Sequence, residues 1–336
     1  MTKTMKEPGS RSIEGKPRAS GGKAVSLAGK DYLSLADLSA EQIGVLFATA
    51  GSTKANIGPY RAALMGKSVI LLFEKPSLRT RVTFEVGPVK MGGQAIYFDH
   101  SKDRIGKRES VKDYGKNLER WVDCVVARVF SHRVLEELAE HCSVPVINAL
   151  SDRFHPCQAL ADYFTLSERV GGIDGLRGFK LAFIGDGNNV CGSLMHGAGR
   201  LGVHLTVICP PGYEPEAGIT KASREFAKSS GGSINITHDP AAAKGAQAVY
   251  TDTWVSMGDE SETAARAAAF GTYRVDERMM AAAAKGAYFM HCLPAHRGEE
   301  VTDAVIDSKA SVVYDQAENR MHVQNALLLH VLGGAK

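Results

Sequence analysis

At 336 residues the chain is long enough for about two domains, and its 44% hydrophobic content excludes a mainly disordered protein. Lys and Arg number 40 against 37 Asp and Glu, a near-balance that argues against a dedicated nucleic-acid binder. No run of about 18 apolar residues is present, so no membrane-spanning helix is expected.

Residues 1–30 carry seven Lys/Arg against Glu7 and Glu14, so the basic character is concentrated there and the remainder is slightly acidic. This segment lacks the apolar core of a signal peptide, and its glycines and prolines interrupt the amphipathic helix of a transit peptide. It reads as a disordered basic tail. A helix with Ser39 as its N-cap follows. Strand 68–73 (SVILLF), a helix beginning near Thr80, strand 94–99, helix 110–122, strand 124–130, helix 134–142 and strand 145–150 come next. HPCQALADYFTLSERVGG predicts one long helix ended by Gly171 and Gly172. A second series starts at Lys180: strand KLAFIG, a helix from Asn189, strand HLTVICP, helix ITKASREFAKSSGG, strand SINITH, helix DPAAAKGA, strand AVYTDT, helix RVDERMMAAAA, and strands AYFMHCLP and SVVYDQ. Residues 320–332 form a last helix. Strands alternating with helices imply parallel sheets, so the fold class expected is α/β with two domains joined through the 155–170 helix. The six cysteines are no closer than 15 residues apart, with no CxxC pair. Free thiols in a reducing cytoplasm are the expectation.

In open parallel sheets ligands gather beyond the carboxyl ends of the strands, so the residues after each strand matter most. After 68–73 come Ser77, Leu78, Arg79 and Thr80 at a helix start, where unpaired N–H groups, hydroxyls and a guanidinium suit a phosphate; a plain Ser-capped helix fits the same residues. Arg128 lies in an otherwise apolar run, either at the strand's exposed end or aimed into a polar cleft. Pro156 holds His155 at a helix mouth, where its ring either donates to a carbonyl oxygen or caps the helix. GDGNNV departs from a dinucleotide fingerprint at Val190, and no ribose-binding acid follows HLTVICPP. Two adjacent amides at that helix start suit a carboxylate or amide instead. Asp252 ends another strand and can meet an ammonium group; Trp254 reads as core. Cys292 is either a thiol at the end of a central strand or a buried small hydrophobe. Arg320 opens the last helix.

Six segments in order, FEKPSLRTR, HPCQALADYFT, GDGNN, DTWVSMG, HCLPAHRG and AENRMH, resemble the aspartate/ornithine transcarbamylase family, and DxWxSMG with HCLP resembles its ornithine carbamoyltransferase branch. The resemblance covers about residues 31–333. It implies transfer of the carbamoyl group from carbamoyl phosphate to L-ornithine, giving L-citrulline and phosphate, the chemistry of arginine metabolism and the urea cycle, with no cofactor and no metal. It implies a carbamoyl-phosphate-binding domain over 31–150, completed by helix 320–333, and an ornithine-binding domain over 151–319. By position, Ser77, Leu78, Arg79 and Thr80 would hold the phosphate. Arg128, His155 and Gln158 would hold the carbamoyl group, with Arg320, Cys292 and the Leu293 carbonyl beside it. Asn189, Asp252, Ser256 and Met257 would hold ornithine. Arg128, His155, Cys292 and Asp252 would be the catalytic set. The family also implies a homotrimer or a multiple of trimers, with Arg104 reaching a neighbouring subunit's phosphate site.

Leu78 departs from the usual Thr and lacks its hydroxyl, a loss of about 0.5–1.5 kcal/mol. Relatives acting on N-acylated ornithine often carry Leu or Met there, so an acylated ornithine or a diamine such as putrescine is the alternative acceptor. An acyl group would remove the charge that Asp252 is placed to meet. A non-catalytic nucleotide-binding paralogue and a nicotinamide oxidoreductase are the readings from other classes.

Overall fold

The computed structural model describes residues 26–255 and 260–335. The alternation read from the sequence gives two parallel sheets. The first is built from β1 (Ser68–Phe73), β2 (Gln94–Asp99), β3 (Cys124–Arg128) and β4 (Val146–Leu150), in the order β2-β1-β3-β4. The helices of this half are α1 (Ala40–Ala55), α2 (Leu78–Lys90), α3 (Val111–Leu118) and α4 (His132–His141). Helix α5 (Pro156–Arg169) leads to the second sheet. That sheet contains β5 (Lys180–Ile184), β6 (His204–Ile208), β7 (Ser233–Thr237), β8 (Ala248–Thr251) and β9 (Tyr288–His291), in the order β7-β6-β5-β8-β9. Its helices are α6 (Asn189–Leu201), α7 (Ala217–Ser230), α8 (Thr263–Phe270), α9 (Glu277–Ala282) and α10 (Asp303–Ile306), and α11 (Val313–Val331) ends the chain. Both sheets are parallel throughout.

Strand residues alternate between two buried faces. Val69, Leu71 and Phe73 of β1 join a large core that runs on through α5 and α11 to Leu181 and Phe183 of β5. Ile70 and Leu72 face a second cluster under α3 and α4, and Ala182 and Ile184 a third around Trp254 and Phe270. Helix α5 is buried on every side from Pro156 to Ser167, which makes it the linking element. Helix α11 packs on α1, α2 and α5 and so returns the chain to the first sheet.

Local chemistry sets several boundaries as read. Ser39 caps α1 in a capping box with Gln42, with bonds of 3.1 and 2.8 Å. Trp254 is buried and stacks on Phe270. Four readings need correction. SVVYDQ is not a strand: Ser311 makes one isolated bridge to Phe289, and α11 begins at Val313, well before residue 320. DPAAAKGA makes only a 3-10 turn at Pro240–Ala243, with Gly245 at φ +74° closing it. Strand 124–130 ends at Arg128. The basic tail gives way to structure before residue 30, because Leu27 is buried and the Gly29 N–H donates to the Val331 carbonyl; residues 1–25 lie outside the described residues. Helices α8 and α10 were not expected from the sequence.

Strand order reverses between β1 and β3 in one sheet and between β5 and β8 in the other. The segments leaving β1, β3, β5 and β8 are therefore those expected to build a site.

Candidate active site

These segments line one cavity of about 400 Å³. Ser77, Leu78, Arg79 and Thr80 reach it from the start of α2, Arg128 from the end of β3, and His155 and Gln158 from α5. Asn189 comes from α6, Asp252 from the end of β8, Cys292 and Leu293 from the end of β9, and Arg320 from α11. At the α2 start the Ser77 hydroxyl caps the helix by accepting the Thr80 N–H, and Arg79 turns into the cavity. Arg81 instead faces outward, stacked on Tyr97 and paired with Glu85 at 3.0 Å.

Arg128 takes the cleft reading. Its register against β4 skips Ala149, and the residue is buried. Irregularities of this kind re-aim a side chain at a strand end. Its charge lies near those of Arg320 and Arg79, and burial, followed by those two neighbours, pushes its guanidinium well below the ordinary value. Arg79 and Arg320 are also lowered, chiefly by burial. Three cations crowded at one end of a cavity make a seat for an anion. The buried Nε atoms of Arg128 and Arg320, and Nδ1 of His155, have no hydrogen-bond partner among the described residues.

His155 does not cap α5 with its side chain. Its own N–H donates to Ser193 Oγ at 2.8 Å, which fixes the ring at the helix mouth. Burial, then Arg320, Arg128 and Arg79, hold its pKa well below the usual imidazole range, so the ring is neutral at pH 7. Arg320 is almost fully buried and joins two elements: it donates to Gln158 Oε1 and, at 2.8 Å, to Thr80 Oγ1.

At the other end of the cavity, Cys292 Sγ donates to Asp252 Oδ1 at 2.9 Å. Burial and the adjacent Asp252 push that thiol far up, so it stays protonated. Asn188 donates to Asp252 Oδ2 at 2.9 Å while its own Oδ1 caps α6, and Asn189 Nδ2 donates to the Ser151 carbonyl at 2.6 Å. Leu293 adopts φ +58°, unusual for a branched residue. Its N–H donates to His291 Nδ1 at 2.8 Å, and His291 Nε2 in turn faces Glu300 Oε1 at 3.1 Å. Asp252, His291 and Cys292 lie close enough to suggest metal ligands, but both His291 ring nitrogens are already engaged. The Gly187 backbone packs on Glu214 and Pro215, where a Cβ would come within 2.3 Å of the Pro215 nitrogen. Close chain packing therefore accounts for that glycine.

Two predicted ligands, Ser256 and Met257, lie outside the described residues. Arg104 does not line this cavity; its guanidinium stacks 3.9 Å from the Phe130 ring centroid. Its loop is tied down rather than loose, since the Ile105 N–H donates to the buried Glu74 carboxylate at 2.9 Å.

Residues 30–168 match the model of the aspartate/ornithine carbamoyltransferase carbamoyl-P binding domain, and residues 177–331 that of the Asp/Orn binding domain. The chain belongs to the aspartate/ornithine carbamoyltransferase family. It is 51% identical over 300 residues to an ornithine carbamoyltransferase of Shewanella oneidensis, covering 89% of this chain and 98% of that one. The solved ornithine carbamoyltransferase of Pyrococcus furiosus shares 47% identity at a TM-score of 0.88, over 93% of this chain and 99% of that one. A solved N-acetyl-L-ornithine transcarbamylase variant is more distant, at 33% identity and a TM-score of 0.81, over 89% of this chain and 99% of that one.

Sequence reasoning missed three residues that build this carbamoyltransferase cavity. Asp162, Gln316 and His291 each hold a cavity residue or its strand by a hydrogen bond, while Asn188, one of the two adjacent amides, holds the Asp252 carboxylate. Asp162 carried a usable signal, since an acid in an otherwise buried helix must find partners.

Proposed function

We propose that this chain transfers the carbamoyl group of carbamoyl phosphate to the side-chain amine of L-ornithine, forming L-citrulline and phosphate. The observation that carries this reading is the polarity of one cavity: three arginines crowd the end at α2, and the Asp252 carboxylate, held by Asn188 and Cys292, stands at the other. The Ser77, Arg79 and Thr80 side chains and the Leu78 N–H hold the phosphate on the α2 N-terminus. Arg128, neutral His155 and Thr80 face the carbamoyl oxygen, Gln158 its nitrogen, and Arg320 steadies both Gln158 and Thr80. Asp252 and Ser256 take the α-ammonium of ornithine, and Asn189 and the Met257 backbone its carboxylate.

In the reaction the lone pair of the deprotonated side-chain amine forms the new C–N bond. Negative charge collects on the carbamoyl oxygen, and the C–O bond to phosphorus then breaks. Donors fixed in advance at such an oxygen are worth about 2.7–4 kcal/mol each. Neutral His155 donates without a protonation step. Cys292, held as a thiol by Asp252, positions the amine and does not accept its proton; the departing phosphate oxygens receive it, with Asp252 the alternative acceptor.

We assign carbamoyl phosphate binding to 31–150 with the last helix, and ornithine binding to 151–319. A homotrimer, or a multiple of it, is proposed from an exposed apolar stripe on α2, Leu78, Val82, Val86 and Val89, beside exposed Ile96 and Phe98 on edge strand β2. The Leu78 side chain belongs to that stripe, so its lost hydroxyl is balanced by burial between subunits. We assign to Arg104, whose guanidinium stacks on Phe130 in the same half of the molecule, contact with a neighbour's phosphate seat. Six unpaired cysteines support a reducing, cytoplasmic setting, and no helix among the described residues is long and apolar enough to cross a membrane.

Ureido product measured with ornithine, N-acetylornithine and putrescine tests the acceptor. Turnover confined to ornithine supports the reading of Asp252 and Asn189; preference for the acylated compound or the diamine overturns it.

A further inference from the structure

We propose that Asp162, which does not itself line the cavity, is a positioning residue that makes the site select an NH2-bearing acyl phosphate by locking Gln158 with its amide oxygen toward the substrate. The proposal rests on the reading that Gln158 faces the carbamoyl nitrogen.

Asp162 is fully buried on α5, and three donors converge on it. Oδ1 accepts Gln158 Nε2 at 2.8 Å and Gln316 Nε2 at 2.9 Å, while Oδ2 accepts the Tyr250 hydroxyl at 3.1 Å. Burial raises its carboxyl to about 6, against the pull of these donors and of Arg320, so at pH 7 it remains an anion that only accepts. Each glutamine must therefore spend its NH2 on Asp162 and present its oxygen on the other side. Gln158 Oε1 meets the Arg320 guanidinium, and Gln316 Oε1 accepts the His291 N–H at 3.0 Å. Turning either amide over would set oxygen against carboxylate and NH2 against another donor. One carboxylate thus fixes the polarity of Gln158 beside the phosphate seat and, through Gln316, the end of β9 that carries Cys292.

An oxygen fixed in the carbamoyl seat accepts from an NH2 group and has nothing to accept from a methyl group. A site built to make a hydrogen bond discriminates against the analogue that lacks it. Phosphonoacetamide and 2-oxopropylphosphonate share shape and charge and differ as NH2 and CH3, which makes them the probes. Inhibition constants against carbamoyl phosphate are expected to favour the amide by about fivefold or more in the wild-type enzyme. Asp162→Asn, with Oδ1 kept toward both glutamines and its NH2 turned to the Tyr250 oxygen, retains the ratio. Asp162→Leu, branched at the same atom but without a polar group, brings it close to one. If Asp162→Leu does not fold, Asp162→Ser, whose short hydroxyl cannot serve both glutamines, is measured for the same fall. Equal binding of the two analogues by the wild-type enzyme overturns the proposal and leaves the carbamoyl phosphate reading standing, as does an unchanged ratio in the variants with both affinities weakened alike. Failure of both analogues to compete with carbamoyl phosphate overturns that reading and the proposal with it.

Discussion

Replacing Arg79 by alanine separates substrate binding from folding. The Arg79 side chain lines the cavity and has no hydrogen-bond partner among the described residues; it is partly buried, with the Asp252 carboxylate and the Cys292 thiol farther off. It also adds to the positive field that lowers Arg128, Arg320 and His155. Its removal takes no internal bond from the free protein and relieves like-charge repulsion, so the melting temperature should hold or rise slightly. Binding behaves differently. A charge-assisted hydrogen bond contributes about 1.5–3 kcal/mol, and a guanidinium presents two in parallel to a phosphate. Taking about 3 kcal/mol as the loss, carbamoyl phosphate affinity falls roughly 100-fold. Arg79→Lys, which keeps the charge without the fork, should lie between the two. Initial rates over a range of carbamoyl phosphate, with product inhibition by phosphate and a thermal melt on the same samples, measure all three quantities. A wild-type KM for carbamoyl phosphate would refute the phosphate assignment, and a large drop in melting temperature would refute the claim that Arg79 is idle in the free fold.

Other substitutions probe the remaining parts. Asp252→Asn removes the carboxylate facing the α-ammonium and should raise the ornithine KM by about 2 kcal/mol or more, some 30-fold, with carbamoyl phosphate affinity kept; steady-state kinetics in both substrates check this. Cys292→Ala loses one hydrogen bond beside the amine and should cost about fivefold in ornithine KM or kcat with little change in melting temperature, and unchanged kinetics would leave Cys292 as packing alone. Stability should fall on acidification. His196 is buried with both ring nitrogens unpartnered, and burial followed by Arg200 and Arg153 lowers it to about 4 from 6.5. Between those values the unfolded chain binds the proton and the folded one does not, so stability is lost as pH drops below 6.5, by about 2 kcal/mol at pH 5 from this residue. His196→Gln should flatten the dependence of unfolding free energy on pH, as denaturant melts will show.

The central strands β1, β3, β5 and β8 were legible because each is a short apolar run buried on both faces, and Ser39 and Gly245 show how caps and turns carry their own signals. SVVYDQ misled for a physical reason. Its β-branched start favours a strand, but packing of α11 on α1, α2 and α5 overrides that preference, and Gln316 is then needed inside a helix to accept the His291 N–H. The cavity's own residues, Arg320 inside α11 apart, could be read because they lie at or soon after a strand's end. Asp162, Gln316 and His291 could not be read in the same way, since they act one layer behind the cavity and their partners are distant in sequence. Asn188 lay in a quoted motif, yet its bond to Asp252 links two strands and only the fold reveals it.

The central claim is that the carbamoyl carbon moves from phosphate to the side-chain nitrogen of ornithine inside this one cavity. Carbamoyl phosphate labelled with 13C at the carbonyl, followed by NMR with ornithine and the purified protein, tests it directly. The account predicts that the label appears solely as the side-chain ureido carbon of citrulline, with one phosphate released per citrulline. Phosphate released without labelled citrulline, or label on the α-nitrogen, would contradict it.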